Sequence, residues 1–229
     1  MAAPGQINIF ALLIKHIKEE WVMWPLVVLL LVTFTITLER LIVIVIDRVK
    51  FNPTKGAAQF VRLMRKHKGD KFKAIEEMES SMQKKDNICA DLMRTIMHKY
   101  KDGVQKGMNP LDLKKWMRDA MEEQGTVEMP ALEAHLGWLA VISNVATLIG
   151  LFGTVYGMIQ AFQAMSTSVG GVKADEMAGG ISVALIATLF GLFVAIPSLL
   201  LFNYIKNMTE AHVIRIEDAL QTMIEALIE

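Results

Sequence analysis

Cysteine is almost absent from this chain, and no long run of charge of one sign interrupts it. Cys89 stands alone, which excludes an intrachain disulfide framework. The five histidines (His16, His67, His98, His135 and His212) are too scattered to make a Cys/His metal set, and each is expected at a surface or an interface. No glycine-rich phosphate loop, Gly-x-Ser-x-Gly elbow or His-Glu-x-x-His motif occurs, so nothing signals an enzyme, and no cofactor is expected. Glu122 and Glu123 are adjacent, and adjacent residues on a helix do not face each other, so they read as a solvated face rather than a catalytic pair. Basic residues are interleaved with acidic ones, which speaks against nucleic acid. Strand alternation, internal repeats and low-complexity linkers are missing too. The first apolar patch is short, is followed by Lys18, Glu19 and Glu20, and has no small-residue cleavage site, so it is not expected to be a cleaved signal.

What is present is segregated. Hydrophobic residues make up 53% of the 229, and 24 basic residues balance 24 acidic ones. Three apolar runs, 21–46, 136–166 and 177–206, each exceed the ~20 residues that a helix needs to cross a bilayer core. About three quarters of all Lys and Arg fall in 47–135. The positive-inside rule therefore places that insert in the cytoplasm, the short 167–176 connector and the N-terminus outside, and the 207–229 tail inside. Residues 1–20 carry Ile7, Phe10, Leu13, Ile14 and Ile17 at helical spacing, as in an amphipathic helix on the membrane surface or packed on the other helices. Trp21 and Trp24 suit an interface belt. Near the other end of the first span, Glu39 and Arg40 form an interface pair of opposite charges.

The insert is expected to be helical and to bundle. Phe60, Leu63 and Met64 make one apolar face; Ile88, Leu92, Ile96 and Tyr100 a second; Leu113, Trp116, Met117, Ala120 and Met121 a third. Gly69-Asp70, Asp102-Gly103 and Asn109-Pro110 are the expected breaks. Sixteen methionines fit helix packing better than a copper site. Pro197 is expected to kink the third span. The fold class is thus an all-α membrane protein, three transmembrane helices with a helical cytoplasmic region.

Two stripes of small residues stand out. In the second span, Thr147, Gly150, Thr154, Gly157 and Ala161 share a face, with Gly153 beside it; in the third, Gly180, Ala184, Thr188, Gly191 and Ala195 do so. Small residues at this spacing let membrane helices approach closely. Thr154 and Thr188 place one hydroxyl in each stripe. Each can bond back to the carbonyl four residues earlier, or both can face a shared polar path and offer oxygens to an ion or a carboxylate. No Asp, Glu, Lys or Arg lies centrally in any span, and a proton path needs a titratable group there, so another subunit must supply it. A solute transporter is disfavoured by the lack of an inverted repeat. A membrane scaffold that conducts nothing is the structural alternative.

The stretch LAVISNVATLIGLFGTVYGMIQAF (139–162) resembles the second transmembrane helix of the ExbB/TolQ/MotA ion-channel family. GGISVALIATLFGLFVAIP (179–197) is similar to its third, and VMWPLVVLLLVTFTITLERL (22–41) to its first. Length and the three-helix layout fit the ExbB/TolQ branch. The resemblance implies a homopentamer around a dimer of an ExbD/TolR-like subunit with one membrane helix bearing an Asp, in the inner membrane of a bacterium. It implies that Thr154 and Thr188 lie on the ion path, that ion flow drives rotation, and that a TonB/TolA-like protein can carry the work across the periplasm. Two positions depart from the family. Thr147 stands where a proline is frequent, and Val183 where this branch typically carries a glutamate. The second departure removes a carboxylate and raises sodium against protons, the branch's common ion.

Overall fold

The computed structural model describes residues 20–50, 52–67, 70–82, 87–166 and 174–228. The expected helix at 1–20 and most of the 167–176 connector lie outside the described residues. All regular structure among the described residues is α-helical: α1 (Met23–Lys50), α2 (Pro53–Lys66), α3 (Lys71–Met82), α4 (Ile88–Gln105), α5 (Pro110–Glu128), α6 (Pro130–Glu133), α7 (Leu136–Ser166) and α8 (Ala174–Ile228). The chain divides into two compact units. One comprises residues up to Glu39 with His135–Tyr204, the other Arg40–Ala134 with Ile205–Glu229.

The first unit holds the membrane-spanning lengths of α1, α7 and α8, each long and apolar enough to cross a bilayer. α7 and α8 run antiparallel, with their small stripes in contact. A Cβ on Gly157 would fall 2.6 Å from the Gly180 carbonyl oxygen and the Ala184 nitrogen. One on Gly191 would fall 2.8 Å from the Ala146 carbonyl oxygen and the Gly150 Cα. Between these crossings Gly153 faces the Ala187 methyl. Backbones this close exclude any side chain larger than hydrogen, and they gain the dispersion contacts that hold helices together in lipid. Val183 and Ala184 are buried, whereas the bulky stripe of α7 (Leu148, Leu151, Val155, Ile159, Phe162) is exposed. Met23 and Leu26 of α1 close the core against Ile142, Ala187, Phe190 and Val194. Trp21 stacks edge-on with Phe152 and Tyr156.

Buried hydroxyls pin these helices where bilayer offers no water. Ser143 Oγ donates to the Ala195 carbonyl at 2.9 Å. Ser198 Oγ donates to the Val194 carbonyl at 2.7 Å. Having spent its single proton there, Ser198 accepts from Thr33 Oγ1 at 2.9 Å. The helix continues unbroken through Pro197, so the separate third span and tail helix expected at 177–206 and 207–229 are one element of 55 residues. Proline's missing N–H leaves only the Phe193 carbonyl without its ladder donor, too small a loss to end a helix whose flanks are well packed.

The second unit is a bundle whose starts are set by side-chain caps. Asn52, Asn87 and Asn109 each sit in extended backbone and accept from an amide of the first turn, and Pro53 and Pro110 follow where an N–H is not needed. Asp102-Gly103 does not break the chain as expected; α4 runs on to Gln105, with Gly103 packed on Leu113, and the turn comes at Gly107, whose φ is +67°. Asn109-Pro110 opens α5 as read from sequence. The core joins Phe60 and Leu63 of α2, Ile75 and Met78 of α3, Leu92 and Ile96 of α4, Leu113 and Met117 of α5, and Ile216, Leu220 and Met223 of α8. Lys71 Nζ donates to the Leu227 carbonyl at 2.8 Å, capping the last turn of α8.

His212, expected at a surface or an interface, lies at an interface between helices. It is 2% exposed, and its Nε2 lies 2.6 Å from Asp47 Oδ2. Asn87 Nδ2 donates to Asp47 Oδ1 at 2.6 Å, while its own Oδ1 accepts from the Cys89 amide at 2.8 Å. One aspartate thus ties the end of α1 to α4 and α8. Glu39 and Arg40 reach different partners: Glu39 Oε1 lies 3.3 Å from His135 Nδ1, and the buried Arg40 donates through Nη1 to the Ala131 carbonyl at 3.3 Å.

Cys89 is fully buried, and burial, reinforced by the Asp47 charge, pushes its thiol up to about 12. At pH 8 only about one in ten thousand such thiols is the reactive thiolate. Iodoacetamide at pH 8 is therefore expected to leave Cys89 unmodified in the folded protein and to label it fully in denaturant, read by mass spectrometry. At the helix contact, G157A is expected to lower stability by about 1–3 kcal/mol through overpacking. G179A, where an added Cβ meets nothing within 4 Å, is expected to be neutral to slightly stabilising, since glycine inside a helix costs up to about 1 kcal/mol against alanine; thermal unfolding in detergent compares the two.

Candidate functional site

The antiparallel crossing brings Thr154 of α7 and Thr188 of α8 face to face. Their hydroxyl oxygens are in direct hydrogen-bond contact. Each also lies 3.2 Å from the Gly150 carbonyl oxygen. For Thr154 this is the backward bond to the carbonyl four residues earlier, the first of the two sequence readings of that hydroxyl. Thr188 makes no such bond to its own helix. It crosses to α7 instead, which the Gly150–Gly191 approach permits.

Proton counting defines the chemistry of this cluster. Three oxygens make three mutual contacts, but the two hydroxyls carry only two protons. One contact at any moment has no hydrogen in it. The cluster is therefore acceptor-rich, suited to a cation or to the proton of an incoming donor. Both threonines are half-buried, while Leu151, Val155, Leu185 and Leu192 at neighbouring positions are exposed and apolar. Polar oxygens open to the outside of an apolar helix pair are unfavourable against lipid.

The remaining sequence candidates divide into two groups. Gly150, Gly153, Gly157, Gly180, Ala184 and Gly191 lie at the α7–α8 contact. Thr147 does not: it is exposed, and its hydroxyl donates to the Ser143 carbonyl at 3.0 Å. Val183 is buried, and its side chain is apolar. Among the described residues no group of His, Cys, Asp and Glu could hold a metal ion.

Sequence reasoning reached the Gly150 carbonyl as the backward partner of Thr154 and missed that Thr188 crosses to the same oxygen. Ser143 was legible, since it falls in phase with Ala146, Gly150, Gly153 and Gly157 on the small-residue face. The Thr33–Ser198 bond depends on how α1 meets α8, which periodicity does not specify.

Comparison with known proteins gives the family. The sequence model of the MotA/TolQ/ExbB proton channel family matches residues 87–218. The chain is 36% identical over 106 residues to the Tol-Pal system protein TolQ of Pseudomonas aeruginosa, covering 46% of each protein. It is 43% identical over 103 residues to a putative biopolymer transport protein ExbB homolog of Methanothermobacter thermautotrophicus, covering 44% of this chain and 35% of that one. It is 30% identical over 144 residues to the biopolymer transport protein ExbB of Xanthomonas campestris pv. campestris, covering 62% of this chain and 56% of the relative. The chain thus spans about half or less of the length of most of these relatives. The family match takes in more than half of the chain, including both threonines and both glycine stripes, and the three apolar helices make it a membrane protein: the chain belongs to the MotA/TolQ/ExbB proton channel family.

Proposed function

We propose that this protein is the ion-conducting subunit of an inner-membrane motor driven by an ion-motive force, of the ExbB/TolQ kind. Five copies enclose a dimer of an ExbD/TolR-like subunit, whose single membrane helix brings the titratable carboxylate that these spans lack. The N-terminus lies in the periplasm and the C-terminus in the cytoplasm. Protons, or sodium ions, pass along Thr154 and Thr188, and the work is delivered to the periplasm through a TonB/TolA-like protein.

The observation that carries this reading is the Thr154–Thr188–Gly150 oxygen cluster, half-buried on an otherwise apolar helix pair. Packing alone explains it poorly, because an interhelical hydrogen bond in lipid is worth only about 0.6–2 kcal/mol. Such a bond would also be best placed fully inside. A hydroxyl cluster open on one side suits hand-over of an ion to a carboxylate on a neighbouring helix. Coupling is energetically adequate: one charge crossing 100 mV releases ~2.3 kcal/mol, so a few ions match several weak periplasmic contacts. With Val183 in place of a second carboxylate, the partner's Asp and these oxygens are the whole relay, which raises Na⁺ as an oxygen-ligated ion; protons are preferred on the family's precedent alone.

The test is flux through the protein reconstituted in liposomes with its Asp-bearing partner. T154V and T188V are each expected to lower flux about tenfold, the effect of raising a barrier by 1.4 kcal/mol, with the mass of the assembly unchanged, and T154S is expected to retain most of it. Full flux in both valine variants overturns the site. No flux from the unsubstituted complex means a scaffold instead. Omitting Na⁺ identifies the ion, since proton flux survives without it.

A further inference from the structure

In the first unit, α7 runs well past the start of α1. At one end, Glu39 of α1 lies beside His135, just ahead of α7. At the other, Trp21 stands against Phe152 and Tyr156, and Val22 reaches Gly153. Roughly 18 residues of α1 separate these two levels, ~27 Å of helix and close to the thickness of a bilayer core. Trp21 and Trp24, both exposed, suit the edge of that core. α7 continues to Ser166, about ten residues or ~15 Å beyond Tyr156. Gln160 and Gln163 on this stretch suit a level outside hydrocarbon. Yet Phe152, Val155, Ile159 and Phe162 form one stripe of α7, spaced 3, 4, 3, and each is more than half exposed. Beyond Trp21 the stripe stays open among the described residues.

The chain just ahead of α1 carries the matching pattern. Ile7, Phe10, Ile14, Ile17 and Trp21 are spaced 3, 4, 3, 4, the repeat of a seam between two helices. The reach matches too: from Trp21 back to Ile7, and from Phe152 on to Ser166, is about fourteen residues in each case, ~21 Å as helix. Glu20, Trp21 and Val22 lie outside α1. The Met23 and Trp24 amides bond back to the Glu20 and Trp21 carbonyls, and Pro25 has no N–H to continue the series. The chain therefore leaves the axis of α1 at this point, at the foot of the exposed stripe.

We infer that residues 7–19 dock as a helix along α7 of their own chain, antiparallel to it, and extend the contact that Trp21 begins. Trp21 on Phe152 sets the register: Ile17 meets Val155, Ile14 meets Ile159, Phe10 meets Phe162, and Ile7 reaches Met165 in the last turn. The same chain is the occupant because its exit point lies at one end of the stripe and its apolar repeat matches the stripe in spacing and length. Headgroups and water surround this level, so removing apolar side chains from water drives the contact. Lys15, Lys18 and Glu19 fall off the seam and stay in solvent; Ile9 and Leu12 also fall off it and are left to the bilayer surface. The contact depends on neither the ion path nor the ring of copies proposed above.

The experiment uses the full chain in native membranes, as two differently tagged, co-expressed copies. On mild oxidation the I14C/I159C chain is expected to lose both introduced thiols while the product keeps the mass of one chain. H16C/I159C, with its first cysteine on the far side of the seam, is expected to keep them. Cys89, being buried, stays out of the reaction. A second measurement needs no disulfide. I159C alone is expected to react slowly with a water-soluble maleimide, I14K in the same chain to speed that reaction about tenfold, and I14L to leave it unchanged. A disulfide joining the two tags assigns the segment to a neighbouring copy and overturns the docking. Equal disulfide yields from I14C and H16C mean that no fixed face is presented, and overturn it as well. Absence of the disulfide, with I159C labelling the same in the I14K chain, means that lipid, a neighbouring copy or another subunit covers the stripe, and also overturns it.

Discussion

Everything at the candidate site depends on how closely two backbones come together. In water, apolar helices associate because burial removes hydrocarbon from solvent. In lipid that difference vanishes, and contact area at short range takes its place. Gly157 against Gly180 and Gly150 against Gly191 set this range, with backbone atoms where any side chain would otherwise stand. The oxygen cluster follows from it. A threonine hydroxyl reaches only a short way from its own helix, and Thr188 touches the Gly150 carbonyl because the two helices have no Cβ between them. The glycines are thus part of the polar site as well as of the packing.

The two units hold together by different means. Around α1, α7 and α8, small residues and a few buried hydroxyls fix a register: Ser143 on Ala195, Thr33 on Ser198. Each bond uses a group that would be costly to leave unmet in hydrocarbon. In the second unit the ordinary hydrophobic effect operates. Phe60, Ile75, Leu92, Ile96, Leu113 and Leu220 leave water together, and one polar knot, Asp47 with Asn87 and His212, sits at its edge with its hydrogen bonds made. Carboxylate and imidazole are both largely removed from solvent there, so the bonds between them specify which side chain of α8 faces α1.

What could be read from the sequence follows from how far each physical signal reaches along the chain. The spans at 136–166 and near 21–46 were legible because hydropathy is a local sum over ~20 residues. The two small-residue stripes were legible because helical periodicity places them on one face, and their meeting follows from antiparallel neighbours. Asp102-Gly103 misled, because Gly103 serves a close contact with Leu113 rather than a turn, and composition alone does not separate those uses. The helix at Lys71–Met82 was not resolved as its own element because Ala74, Ile75, Met78 and Met82 are diluted by charge on both sides. The pairing of His212 was hidden for a different reason. Its partner Asp47 is 165 residues away, and no local pattern carries that pairing. The same limit hid the bond from Thr188 to the Gly150 carbonyl, which crosses from one helix to the other.

The core of the second unit has a chemical character beyond its packing. Met64, Met78, Met82, Met93, Met97, Met117 and Met223 are all buried in it. Thioethers are pliable enough to fill an irregular space among five helices, yet each is one oxygen atom away from a polar, chiral sulfoxide that such an interior cannot solvate. Folding therefore acts as antioxidant protection here. A chain that meets an oxidant before the bundle closes takes up oxygen at sites the finished core would have shielded, and it then lacks the apolar surface with which to close.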